Sequence, residues 1–180
     1  MKATFIVLGL LFTLCRNTCM AQVMHPVDES SKVSFFIKNF GVTVDGSFKG
    51  LQGEVRFDPA KPEASAFEMS LDVKSINTGI ARRDRHLRSD DYFDVARFPK
   101  INVKGEKVTE GKEKGSYVLH AKLTIKEVTR DIDIPFKAVA RNGGYQFDGT
   151  FRVNRLDYKV GGNSISMADQ ATVVLQVFTK

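Results

Sequence analysis

Between Ser75 and Pro99 the chain concentrates the residue types that carry acid–base and anion chemistry. Arg82, Arg83, Arg85 and Arg88 stand among Asp84, Asp90, Asp91 and Asp94, with His86 in their midst. A general acid–base pair needs both members within reach of one reacting group. Asp84 and His86 are two apart, which on a helix turns them to different faces. His86 and Asp90 have a same-face spacing, but the Arg88-Ser89 break falls between them. No serine lies in a nucleophile-elbow motif. The other histidines, His25 and His120, show no metal-ligand spacing with His86 or with each other. The residues therefore point away from an enzyme, and no metal set or cofactor motif is present. The charges read either as a surface network of ion pairs, each contributing about 0–1 kcal/mol, or as polar groups at the opening of a binding site.

What must position this segment is a chain of strands. Phe67, Met69, Leu71 and Val73 alternate with polar residues, as do Tyr117, Leu119, Ala121, Leu123 and Ile125, then Tyr145, Phe147, Gly149, Phe151 and Val153. The same period runs through Leu51, Gly53, Val55 and Phe57. Shorter strands fit 33–38, 42–48, 101–108, 129–139 and 171–178. One buried and one wet face is the pattern of antiparallel sheets. Breakers separate the strands: Asp58-Pro59, Gly111 to Gly115, Asn142-Gly143-Gly144 and Gly161-Gly162. Pro135, inside a strand, predicts an edge or a bulge. About eight or nine strands at this spacing fit a closed barrel or a sandwich. The insert, about 79–96, loses the alternation. It predicts two short helices over one end of the sheet, the second capped by Ser89 or Asp90 and stopped by Pro99.

The first residues read differently. Lys2, an apolar run over 3–14 and small residues before Gln22 predict a secretory signal over residues 1–21. Its removal takes two of the 27 basic residues and none of the 21 acidic ones, lowering the formal net charge from +6 to +4. Cys15 and Cys19 leave with it, so residues 22–180 form a single domain with no disulfide and no thiol chemistry. The mild positive charge does not indicate nucleic acid; it slightly favours transient contact with an anionic membrane surface.

Ser75-Ile76-x-Thr78-Gly79, Arg83-Asp84-x-His86-Leu87, Asp91-Tyr92-Phe93-Asp94 and Phe98-Pro99-x-Ile101 together resemble the signature of the YceI-like family. Leu123-Thr124-Ile125, Thr129-x-Asp131-Ile132 and Arg155-x-Asp157-Tyr158 resemble its downstream motifs. The resemblance implies an all-β, lipocalin-like, eight-stranded antiparallel barrel. It implies export, to the periplasm or beyond the cell, and an apolar tunnel for an isoprenoid, an isoprenoid quinone or another long-chain amphiphile. It also implies no defined catalytic activity, a homodimer in many members, and links to stress response and lipid transport. The chain departs from the pattern: Glu29-Ser30-Ser31 follows Asp28 where a His-Ser pair is usual. Ala121, Glu127 and Lys159 stand where glycine is common.

The expected function is non-catalytic lipid binding. The alternatives are an interaction barrel with a filled core and, less favoured, a lipid-modifying enzyme. The expected apolar lining is Phe35, Ile37, Val55, Phe57, Phe67, Met69, Leu71, Ile101, Leu119, Leu123, Phe147, Phe151, Val173 and Leu175. Arg83, Asp84 and His86 are the expected head-group or mouth residues. Each buried methylene of a ligand would contribute about 0.8 kcal/mol.

Overall fold

The computed structural model describes residues 22–180; the predicted signal over 1–21, with both cysteines, lies outside them. The strands are β1 (Val23–Met24), β2 (Lys32–Asn39), β3 (Val42–Arg56), β4 (Ala66–Asn77), β5 (Lys100–Glu110), β6 (Ser116–Ile125), β7 (Val128–Arg141), β8 (Gly144–Asn154) and β9 (Met167–Thr179), with one helix, α1 (Ala81–Leu87). They form a single antiparallel sheet in the order β1-β3-β2-β9-β8-β7-β6-β5-β4, and pairing of β3 with β4 closes it. The result is a closed eight-stranded barrel with one short helix; β1 is only a two-residue addition to the end of β3. Closure leaves no free sheet edge around the barrel. It selects the barrel over the sandwich that the alternation also allowed.

β6 shows why alternation was legible: Tyr117, Leu119, Ala121, Leu123 and Ile125 are all buried, and every residue between them is more accessible. β3 shows where it misled. Segments 42–48 and 51–57 read as separate strands because their inward phase changes. Phe48 and Leu51 are both buried although they stand three positions apart, an odd step that in a regular strand would put them on opposite faces. The chain instead continues through a bulge, with register shifts around Lys49. Gly50 absorbs the extra residue at φ +72°, and a Cβ there would lie 2.8 Å from the Asp72 Cβ. Asp28 fixes the bulge by accepting from the Gly50 N–H (3.1 Å) and the Leu51 N–H (2.9 Å).

Pro135 acts as predicted for a strand edge, but on one side only. β7 pairs with β6 without interruption from Lys137 opposite Ser116 to Val128 opposite Ile125, on both sides of Pro135. Its ladder with β8 begins at Phe136 opposite Gly149 and runs only toward Arg141. Proline has no N–H to give the next rung. β7 and β8 therefore part above that point, where the Arg130 Nε donates to the Asp157 carbonyl (3.0 Å).

The two ends of the barrel differ. At one, Phe57 packs edge-on against Phe67, Tyr117, Phe136, Tyr145 and Phe147, with ring centroids 5.1–6.3 Å apart. Burial in this aromatic floor pushes the Tyr117 hydroxyl above its ordinary pKa, with Glu110 and Tyr145 adding to the rise. The other end carries the β2–β3 turn, the insert, the β6–β7 turn and the loop from β8 to β9.

Candidate functional site

The insert is held to the end of β4 by side chains that seek backbone groups. The Asp84 carboxylate is buried and accepts from the Thr78 N–H (2.9 Å) and the Thr78 hydroxyl (2.5 Å). Arg83 donates to the Thr78 hydroxyl and to its carbonyl, both at 2.7 Å. Arg88 donates to the carbonyl of Ile76, which is fully buried (2.8 Å). Ser75 in turn accepts from the Lys49 N–H (2.7 Å), tying the same strand end to the bulge of β3. The motif residues are thus a bracket.

Two expectations about this segment are corrected. The charges are not mostly in ion pairs. Among the described residues only Arg97 and Asp94 pair within it (3.3 Å); Asp84, Arg83 and Arg88 serve the backbone instead. The second helix does not form either. The Ser89 carbonyl accepts from the Tyr92 and Asp94 N–H groups, and Asp94 takes a left-handed φ of 48°, so the chain runs through turns. Phe93 still packs inward, edge-on to Phe48 at 5.9 Å.

A second bracket lies at the end of β8. Arg155 is buried and donates to the carbonyls of Ala168 (3.0 Å), Val160 (3.1 Å) and Gly162 (2.8 Å), and to the Asp169 carboxylate (3.2 Å). It fixes the loop that returns to β9. Tyr92 of the insert lies against that loop at Gly161, whose N–H donates to the Asp91 carbonyl (3.0 Å). Lys159, where the family favours glycine, adopts a left-handed φ of 54°, the conformation that makes glycine the usual occupant.

Between the brackets and the aromatic floor lies a cavity of about 270 Å³. That is near the lower end of the roughly 300–1,000 Å³ typical of small-molecule sites. All the expected lining residues border it except Phe57, which sits behind Phe67, Phe136 and Phe147 in the floor. Met69, Leu71, Val103, Phe151, Val173 and Leu175 are only half-buried although they face inward, because they border this space rather than one another. Polar groups on the wall are Ser34, Asn39, Ser70, Thr78, Arg83, Tyr92 and Arg155; among the described residues no carboxylate and no imidazole lines it. Asn39 places a buried side-chain oxygen there without a partner among the described residues.

Of the expected mouth residues, Arg83 lines the cavity, Asp84 is buried behind it in the bracket, and His86 is exposed, its ring 4.8 Å from that of Tyr92. His120 bridges Thr109 (3.0 Å) and Asp133 (2.7 Å) on the outer wall. No group of three or more potential ligands fit to hold a metal occurs among the described residues. Sequence reasoning missed Asn39, Tyr92 and Arg155 as wall residues. Only the place of Arg155 in the Arg-x-Asp-aromatic motif signalled it.

The family model for the YceI-like domain matches residues 25–178. The chain belongs to the YceI-like family. A UPF0312 protein of Pseudomonas savastanoi is 36% identical over 137 residues, covering 72% of this chain and 71% of the relative. Among solved structures, BcnA of Burkholderia cenocepacia superposes with a TM-score of 0.81 at 24% identity, covering 86% of this chain and 99% of BcnA. The YceI protein of Campylobacter jejuni gives a TM-score of 0.68 at 26% identity, over 76% and 85% of the two chains. A polyisoprenoid binding domain from Saccharophagus degradans shares the fold at 16% identity, with a TM-score of 0.71 over 89% and 98%.

Proposed function

We propose that this YceI-like barrel binds and carries a long-chain amphiphile, an isoprenoid or isoprenoid quinone, without altering it chemically. The observation that carries the reading is the cavity: an inner wall of aliphatic and aromatic side chains with its few polar groups, none of them a carboxylate or imidazole. The described similarity to a polyisoprenoid binding domain points the same way. Burial of methylenes supplies the affinity. The head group stays at the bracketed end, where among the described residues Arg83 has a guanidinium nitrogen without an acceptor and Asn39 an unpartnered oxygen. Asp84 is consumed by Thr78 and acts through positioning. An interaction barrel with a filled core fits the cavity less well. Export through the segment 1–21, to the periplasm, belongs to the same proposal, and N-terminal sequencing of the exported protein should begin at Gln22.

The test is organic extraction of protein from its native host followed by mass spectrometry, with Val173→Trp as the variant that fills the cavity. A co-purifying long-chain lipid in the wild type, lost in the variant, is the expected result. Absence of any lipid together with no uptake of an added prenyl alcohol would sink the proposal.

A further inference from the structure

We propose that the bracketed end of the barrel docks on an anionic lipid bilayer through an apolar rim of Phe40, Val42, Ile80 and Ile165. This rests on the lipid-carrier reading and names the partner from which the cargo comes. Ile165 is fully exposed, Phe40 is 82% exposed, Val42 67% and Ile80 52%. They come from three separate connections: the β2–β3 turn, the entry to α1 and the loop before β9. The structure brings them to one end. The Phe40 N–H donates to the Ser166 carbonyl (2.7 Å), which sets Phe40 beside the Ile165 loop. Residues flanking them line the cavity, Asn39, Val44 and Met167 on one side, Thr78 and Arg83 on the other. The rim therefore borders the mouth. Exposed Val23, Phe36 and Val139 stand elsewhere on the barrel, as single surface apolar residues commonly do.

The turn at Phe40 shows that this exposure opposes local stability. Asn39 pairs with Val42 across a two-residue hairpin turn. Phe40 and Gly41 both have positive φ, 49° and 75°, the geometry for which Asn-Gly is the favoured pair. A phenylalanine in that conformation is unusual, and in water its ring gains nothing there. Seated in the interfacial layer of a bilayer it would bury its surface.

Charge selects the kind of membrane. Lys38, Arg82 and Arg85 are exposed at this end, and no carboxylate lies within 4.0 Å of them among the described residues. The exposed acids of the insert, Asp90 and Asp91, follow the helix. Basic residues beside an apolar rim favour an anionic leaflet. A mouth pressed on the bilayer lets an apolar chain pass without crossing water.

The experiment is vesicle flotation of residues 22–180 as the folded domain, with phosphatidylcholine vesicles and with vesicles also containing phosphatidylglycerol. Wild type is expected to float with the anionic vesicles. Phe40→Asn combined with Ile165→Ser is expected to lower the bound fraction roughly tenfold or more. Phe40→Asn by itself is expected to raise Tm, since it restores the favoured turn. Uptake of farnesol from detergent is expected to be unchanged in both variants. No flotation of wild type, or equal flotation of the double variant, overturns the docking proposal. So does a wild-type dimer that the double variant converts to monomer, because a second copy then covers the rim. Failure of farnesol uptake in wild type strikes the carrier reading instead, whatever the vesicles show.

Discussion

At the floor of the barrel, Phe57, Phe67, Tyr117, Phe136, Tyr145 and Phe147 close the opening by packing ring on ring. At the mouth, Asp84, Arg83, Arg88 and Arg155 close it by holding backbone groups of strand ends and loops. The apolar burial that drives aromatic packing is non-directional and grows with every neighbour, and edge-on ring contacts add to it. Bracket hydrogen bonds are directional and tie separate strand ends and loops, so each bracket can open separately. The carriage proposed above needs one permanent end and one that yields, and the two ends of this barrel are closed by different interactions.

The contrast can be broken most strongly at the floor. Phe57→Ala is expected to cost about 3–5 kcal/mol, read as a lower denaturation midpoint, because it removes the ring that all the others meet. An effect below about 1 kcal/mol would mean that the floor is not a packed core. Next is Arg155→Met, which strips donors from the Val160 and Gly162 carbonyls. It is expected to cost about 2–3 kcal/mol and to speed hydrogen exchange in the β8–β9 loop, with the floor unchanged. Asp84→Asn comes third, at about 1–2 kcal/mol. Faster exchange is expected over the insert only; uniform loss of protection would show that the two ends are one cooperative unit. The smallest effect is alkaline. Burial raises the pKa of Tyr117 at the floor and of Tyr158 near the mouth above their ordinary 10.0. A raised folded pKa stabilises fully below 10.0 and loses that contribution as pH climbs through the folded value. Tm should therefore fall above pH 10, and Tyr158→Phe should blunt the fall without touching the floor.

The floor was far more legible than the mouth. Its rings sit at alternate positions of regular strands, so Tyr117, Phe67 and Phe147 could be assigned inward from the period. The bulge in β3 was hidden, because an extra residue looks in sequence like the end of one strand and the start of another. Pro135 was read as the mark of an edge or a bulge, yet only the ladder showed that pairing with β8 stops beside it while pairing with β6 continues. In the insert, Arg and Asp neighbours suggested ion pairs. Their partners proved to be the Thr78 hydroxyl together with the Thr78 and Ile76 carbonyls and the Thr78 N–H, backbone groups that carry no mark in a sequence.

By itself the sequence determined most of the strand segments, the inward faces of the regular ones and the identity of the capping segment. Each of these depends on residue period or on local motif, and both are written along the chain. Only the tertiary structure decided that the sheet closes as a barrel, that an open cavity remains above the floor, and that Arg155 and Arg83 share its wall. Those facts depend on which distant strand ends meet and how much volume their side chains leave unfilled. The same long-range meeting brings Phe40, Ile80 and Ile165, scattered along the chain, to one end of the molecule.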